Sequence, residues 1–213
     1  MSPVLKCATR SGINQYGASQ MVNFIQLNTT PQEFDTERKK YPNYQLTYGG
    51  RIGWNALGSA ADEGNVELVE HIVQIGGKAL IELGNFVGFT PLFCATRNNH
   101  YLTAKKLIEL GANVNIGTFR DSDGEKRNTL EGSTPLWAAA QEARNVALVR
   151  LLLKKGAVAE PALESEGLKI LDQAQKEIAN ERTQLTQAID QGAAKVIPSV
   201  LVDLIAAYLS SED

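Results

Sequence analysis

Three features of the 213-residue sequence predict an all-α solenoid of about five stacked helix pairs, with long loop fingers and a C-terminal capping helix. The first is recurrence: Gly88-Phe89-Thr90-Pro91-Leu92-Phe93-Cys94-Ala95 returns as Gly132-Ser133-Thr134-Pro135-Leu136-Trp137-Ala138-Ala139, and more loosely as Gly53-Trp54-Asn55-Ala56-Leu57-Gly58-Ser59-Ala60. The second is an apolar block after each of these that ends in glycine, at Gly76, Gly111 and Gly156. The third is a set of small residues, Ala60-Ala61, Ala95 and Ala139-Ala140, at matching positions. Self-similarity on a period of 20 to 50 residues marks a stack of supersecondary units, none of which hides its apolar face alone.

Each unit follows from local chemistry. The hydroxyl of Thr90 or Thr134 caps the first helix, and the next proline occupies the first helical position, where a missing N–H costs nothing. Leu57, Leu92 and Leu136 begin the buried stripe, and the alanines let neighbouring units approach closely. Gly76, Gly111 and Gly156 fall where a left-handed residue ends the second helix.

Residues 88 to 115, from Gly-Phe-Thr-Pro-Leu to Gly-Ala-Asn-Val-Asn, resemble the ankyrin-repeat family, whose unit carries Thr-Pro-Leu-His-x-Ala. The resemblance implies an ankyrin-repeat solenoid. The family's histidine is replaced by Gly58, Phe93 and Trp137, so bulky apolar packing is expected in place of its hydrogen bonds.

Further units emerge from this register. Leu5-Lys6-Cys7-Ala8 mirrors Leu92-Phe93-Cys94-Ala95, and Met21-Val22 with Phe24-Ile25 supplies a second apolar block, so residues 1–50 read as a degenerate N-terminal unit with a long insertion from about Thr30 to Gly50. Residues 51–160 hold three central repeats. Residues 161–195 read as a degenerate fifth unit, two helices meeting near Ala179-Asn180-Glu181; the rival is one continuous helix, on the seven-residue spacing of Leu171, Ile178 and Leu185. The interval between Leu92 and Leu136 holds a surplus of about 11 residues over the family's unit. Its sequence, Gly117 to Asn128, predicts a protruding finger with Asp123-Gly124 as a hairpin tip. Asp121, Asp123 and Glu125 alternate like part of a calcium loop, but the glycine stands one place early and the twelfth position lacks glutamate, so a solvated turn is expected.

In such solenoids the loop fingers and the outward face of the first helices form an extended concave surface. Binding of a protein partner is therefore expected at Trp54, Phe86 and Phe89, with Asp62, Glu63, Arg97, Asn98, Gln141 and Glu142 on the helical face and Arg120, Lys126 and Arg127 on the finger. The rings are read either as anchors in a recessed surface or as covers for the inner edges of the loops. Tyr41, Tyr44 and Tyr48 beside Arg38-Lys39-Lys40 read as a loop folded onto the first repeats.

The remaining segment, 196–213, runs Ile197-Pro198-Ser199-Val200-Leu201-Val202-Asp203-Leu204-Ile205-Ala206-Ala207-Tyr208-Leu209 before a polar tail. Leu201, Leu204, Ile205, Tyr208 and Leu209 share one helical stripe. The segment resembles the opening of an F-box, and the combination is similar to ankyrin proteins of intracellular bacteria and poxviruses. That likeness implies an alternative role as a substrate receptor for ubiquitin ligation, with Pro198 and the five stripe residues docking the adaptor, and an effector acting in host cytoplasm. A plain capping helix is the other reading.

An enzyme is not expected. Cys7 and Cys94 sit at equivalent first-helix positions as core thiols too far apart for a disulfide. His71 and His100 lack ligand-like neighbours, and no phosphate loop, dinucleotide glycine pattern or zinc signature occurs. No cofactor and no metal are expected. A net charge of −3 provides no field for nucleic acid, and no apolar run reaches the roughly 18 residues of a membrane span. With two cysteines and no secretory leader, an intracellular soluble protein is expected.

Overall fold

The computed structural model describes residues 23–41, 46, 55–85, 87–118, 132–158 and 163–190. Their regular elements are all helical: α1 (Pro31–Arg38), α2 (Ala56–Asp62), α3 (Val66–Gly76), α4 (Pro91–Arg97), α5 (Tyr101–Glu109), α6 (Pro135–Trp137, continuing as a π-turn over Ala138–Glu142), α7 (Val146–Leu153) and α8 (Ser165–Asp190), with a 3-10 turn at Lys78–Leu80. Three helix pairs stack: α2/α3, α4/α5 and α6/α7. The first helices pack on one another in one layer, and the second helices form another that begins with α1.

The caps expected from the sequence are present. Thr90 and Thr134 accept from the N–H of Phe93 and Trp137, with proline at the first turn, and Asn55 does the same for Gly58. Leu57, Leu92 and Leu136 are buried in equivalent positions among Ala60, Ala61, Ala95, Ala139 and Ala140. Phe93 is fully buried and Trp137 packs against the core, so apolar mass does stand in two of the three histidine positions. In the first repeat an amide supplies a tie instead: Asn55 Nδ2 donates to the Leu83 carbonyl at 2.9 Å.

Gly111 and Gly156 take the left-handed conformation that ends a second helix, with φ of 105° and 81°. In the first repeat that residue is Gly77 (φ 81°), because α3 runs one residue further than expected. Gly76 is still helical, and a methyl there would collide with Leu80 and Leu46.

Two expectations are corrected. Residues 31–38, read as part of an inserted loop, form α1: Thr30 and Glu33 make a reciprocal capping box, Pro31 opens the helix, and Phe34 is fully buried. This helix packs on α3 as α3 packs on α5 and α5 on α7, so it occupies the second-helix layer. Its cap Thr30 precedes Asn65, the cap of α3, by 35 residues, and Asn65 precedes His100, the cap of α5, by 35. The second correction concerns the turn at Ala179-Asn180-Glu181. These residues lie inside the 26-residue α8, which is the continuous rod. No left-handed residue interrupts it, and Glu177 and Glu181 are held by Arg150 of α7 and by Lys154, which caps the end of that helix.

Candidate partner-binding face

The turn between the two helices of each repeat sets the geometry of the first-helix face. The N–H of Asn65 donates to the Ala60 carbonyl and that of His100 to Ala95, each five residues back, and that of Asn145 to Ala139, six residues back, closing a corresponding turn in all three repeats. The residue before each cap, Gly64, Asn99 or Arg144, is left-handed. These caps also reach back to the preceding unit: Asn65 Nδ2 to the Gln26 and Thr29 carbonyls, His100 Nε2 to the Asp62 carbonyl at 2.8 Å, and Asn145 Nδ2 to Asn99 Oδ1. This ladder was missed as a functional set in the sequence, although a polar residue stands before every second apolar block.

Three residues before each cap come Asp62, Arg97 and Glu142, so one register carries a carboxylate, a guanidinium and a carboxylate on consecutive first helices. Asn98 Nδ2 donates to Asp62 Oδ1 at 2.6 Å and to the Asp62 carbonyl at 3.1 Å. Burial pushes the Asp62 carboxyl up, against the downward pull of the Asn98 hydrogen bond, His100 and Arg97. Arg97 Nε donates to Glu142 Oε2 at 2.6 Å, and its guanidinium lies 5.6 Å above the Phe89 ring. Phe89 in turn tilts against Phe93, centroids 4.8 Å apart. Gln141 turns towards the terminal helix, donating to Glu164 Oε2 at 3.0 Å and accepting from the Glu164 N–H at 3.2 Å. Glu63 is exposed on the same face.

The structure thus brings Asp62, Glu63, Phe89, Arg97, Asn98, Gln141 and Glu142 into one strip across three repeats. Phe89 is half-buried between a ring and a guanidinium. Trp54, Phe86, Arg120, Lys126 and Arg127 lie outside the described residues, as do Pro198, Leu201, Leu204, Ile205, Tyr208 and Leu209.

The long finger is described at its base. Thr118 N–H donates to the Ser133 carbonyl and Gly132 N–H to the Thr118 carbonyl, repeating the bonds from Asn85 N–H to Phe89 and from Gly88 N–H to Asn85. Gly117 approaches the Gly132 carbonyl so closely that a Cβ would sit 3.0 Å from it, as one on Gly84 would sit 3.1 Å from the Gly88 backbone. The same clasp closes a four-residue step from Gly84 to Gly88 and a fifteen-residue step from Gly117 to Gly132. The two ends of the surplus segment are therefore held in the same backbone arrangement as the ends of the short step.

Cys94 is a free, buried thiol whose ionisation burial pushes far up, which leaves no nucleophile at that position. Cys7 lies outside the described residues, and so does the Asp121, Asp123 and Glu125 run. No group of three or more His, Cys, Asp or Glu side chains among the described residues is arranged to hold a metal. None of their helices is long and apolar enough to cross a membrane.

Comparison with protein families places residues 14–118 in a match to ankyrin repeats in three copies, and residues 131–163 in a match to a single ankyrin repeat. The first stretch is 105 residues long, three times the 35-residue spacing of the second-helix caps. Neither match reaches 197–209. No curated protein matches the chain.

Proposed function

We propose, on the premise that this chain is an ankyrin-repeat protein, that it is a non-enzymatic binding module that grips a protein partner along the first-helix face of its stack. The carrying observation is the register of Asp62, Arg97 and Glu142, which puts a charged side chain at the same position of three consecutive repeats, with Arg97 lying over the half-buried Phe89 ring. A solenoid offers such a surface at little cost, since its core is buried between layers and its face is free to vary. The base of the long loop, at Thr118 and Gly132, is clasped between the second and third repeats.

A photo-crosslinking side chain placed at Glu63 on this face, and separately at Gln74 on the outer surface of α3, tests the proposal in cell extract. Capture of a discrete protein from position 63 alone is expected. Equal capture from both positions, or capture from 74 only, would contradict it.

The finer reading, an effector whose Pro198 to Leu209 segment recruits a ubiquitin-ligase adaptor, is supported by that stretch of sequence alone. It predicts a second, different protein captured from a cross-linker at Leu204; the same single protein at both sites removes it.

A further inference from the structure

The third repeat spends one residue more than the others between its two caps. Asn55 to Asn65 and Thr90 to His100 are ten residues apart, whereas Thr134 to Asn145 is eleven. The extra residue does not loosen the turn, because the carbonyl five places after the first cap receives the second cap's N–H in every case: Ala60, Ala95 and Ala139. Nor does it move the left-handed position, which stays directly before the cap at Arg144. It is absorbed inside the helix as a π-turn over Ala138–Glu142, with Ala143 N–H donating to the Ala138 carbonyl. Single π-turns within α-helices are rare and concentrate where a helix has been given an additional task.

The task is visible in what the widened turn presents. Glu142 takes the register of Asp62 and Arg97 and faces backward to Arg97. Gln141, the residue gained, faces forward and pairs through both amide atoms with the backbone N–H and carboxylate of Glu164, immediately before α8. On the α8 side the fit is prepared by Gly167, where a methyl would overlap Gln141 Oε1 and stand 3.0 Å from Leu163 Cδ2. A ten-residue spacing would put Gln141 at the backward-facing register and leave no side chain for Glu164.

We infer that the inserted residue is the device that seats α8 on the third repeat: it lets one helix hold the repeat before it and α8 after it, with Gln141 as the positioning residue. Among the described residues, the first-helix face thereby runs on to Glu164.

Hydrogen exchange of the full-length chain tests this with three variants. Deletion of Ala143 restores the ten-residue spacing, Gln141→Ala removes the clamp, and Gln141→Met keeps the stem without the amide. All three are expected to speed exchange of residues 164–170 by about tenfold, the equivalent of a net hydrogen bond or two, while α4 and α5 exchange as in the parent. Unchanged protection of 164–170 in Gln141→Ala, or full retention by Gln141→Met, overturns the inference. So does a uniform loss across α4, α5 and α7 in the deletion variant, which would assign the extra residue to the packing of its own repeat. If the deletion variant does not fold, the two substitutions decide.

Discussion

Asp62 is held in a partly buried place in which its charge is a burden. Its carboxyl accepts from Asn98 and lies near Arg97 and His100, yet desolvation wins and raises its proton affinity above that of an exposed aspartate. A group that binds protons more tightly when folded makes stability fall as pH climbs through its titration range. Asparagine keeps an oxygen for the Asn98 amide and carries no charge. Asp62→Asn is therefore expected to raise the thermal midpoint at pH 7, with the gain shrinking as the pH is lowered towards about 4, near the unperturbed carboxylate value. A lower midpoint at pH 7 would mean that attraction to Arg97 and His100 dominates. Arg144 carries a different burden: it is a residue with a Cβ in a left-handed conformation (φ 49°), at the position that Gly64 fills in the first repeat. Relief of that strain is worth about 1 kcal/mol or more, partly offset by the entropy of an added glycine. Arg144→Gly is expected to gain about 0.5 kcal/mol in urea unfolding at an unchanged m-value; a loss would show that the arginine side chain contributes contacts exceeding the strain.

Among the elements, those whose signals are local were legible in the sequence. Thr90-Pro91 and Thr134-Pro135 announce helix starts because hydroxyl and proline act within one turn, and the surplus between the second and third repeats was readable from the long interval between Leu92 and Leu136. The N-terminal register was not read correctly. Residues 31–38 were read as loop, even though Thr30, Pro31 and Glu33 spell a capping box; Leu5-Lys6-Cys7-Ala8, on which the first unit was placed, lies outside the described residues. The helix α8 was misread for another reason. Whether Ala179-Asn180-Glu181 bends is decided by partners far away in sequence, Arg150 and Lys154, which hold Glu177 and Glu181 on one straight face. Exposed within that rod, Asn180 is a poor helix former. Asn180→Ala is expected to increase helical stability by about 0.5 kcal/mol, read by circular dichroism melting and by slower exchange around 177–184. A loss of stability would restore a turn there.

Across the whole molecule, a polar ladder and an apolar interior divide the labour. Leu57, Leu92 and Leu136 repeat the same buried contact three times. Leu136→Ala should cost about 2 to 5 kcal/mol, whereas Leu168→Ala on the half-exposed side of α8 should cost little. Between repeats, Asn98 with Asp62, Arg97 with Glu142 and Gln141 with Glu164 link the first-helix face from end to end. The sequence named these side chains as partner-binding and did not foresee that they also bind one another, since that depends on how closely neighbouring first helices approach. Their mutual bonds leave the face ordered before a partner arrives, which lowers the conformational entropy lost on association.

The partner face is tested most directly by hydrogen exchange of the whole chain with and without the protein captured from position 63. Slower exchange confined to α2, α4, the π-turn of α6 and the base of the finger is the predicted result. Protection centred instead on α3, α5 and α7, with the first helices unchanged, would contradict the assignment of the binding face.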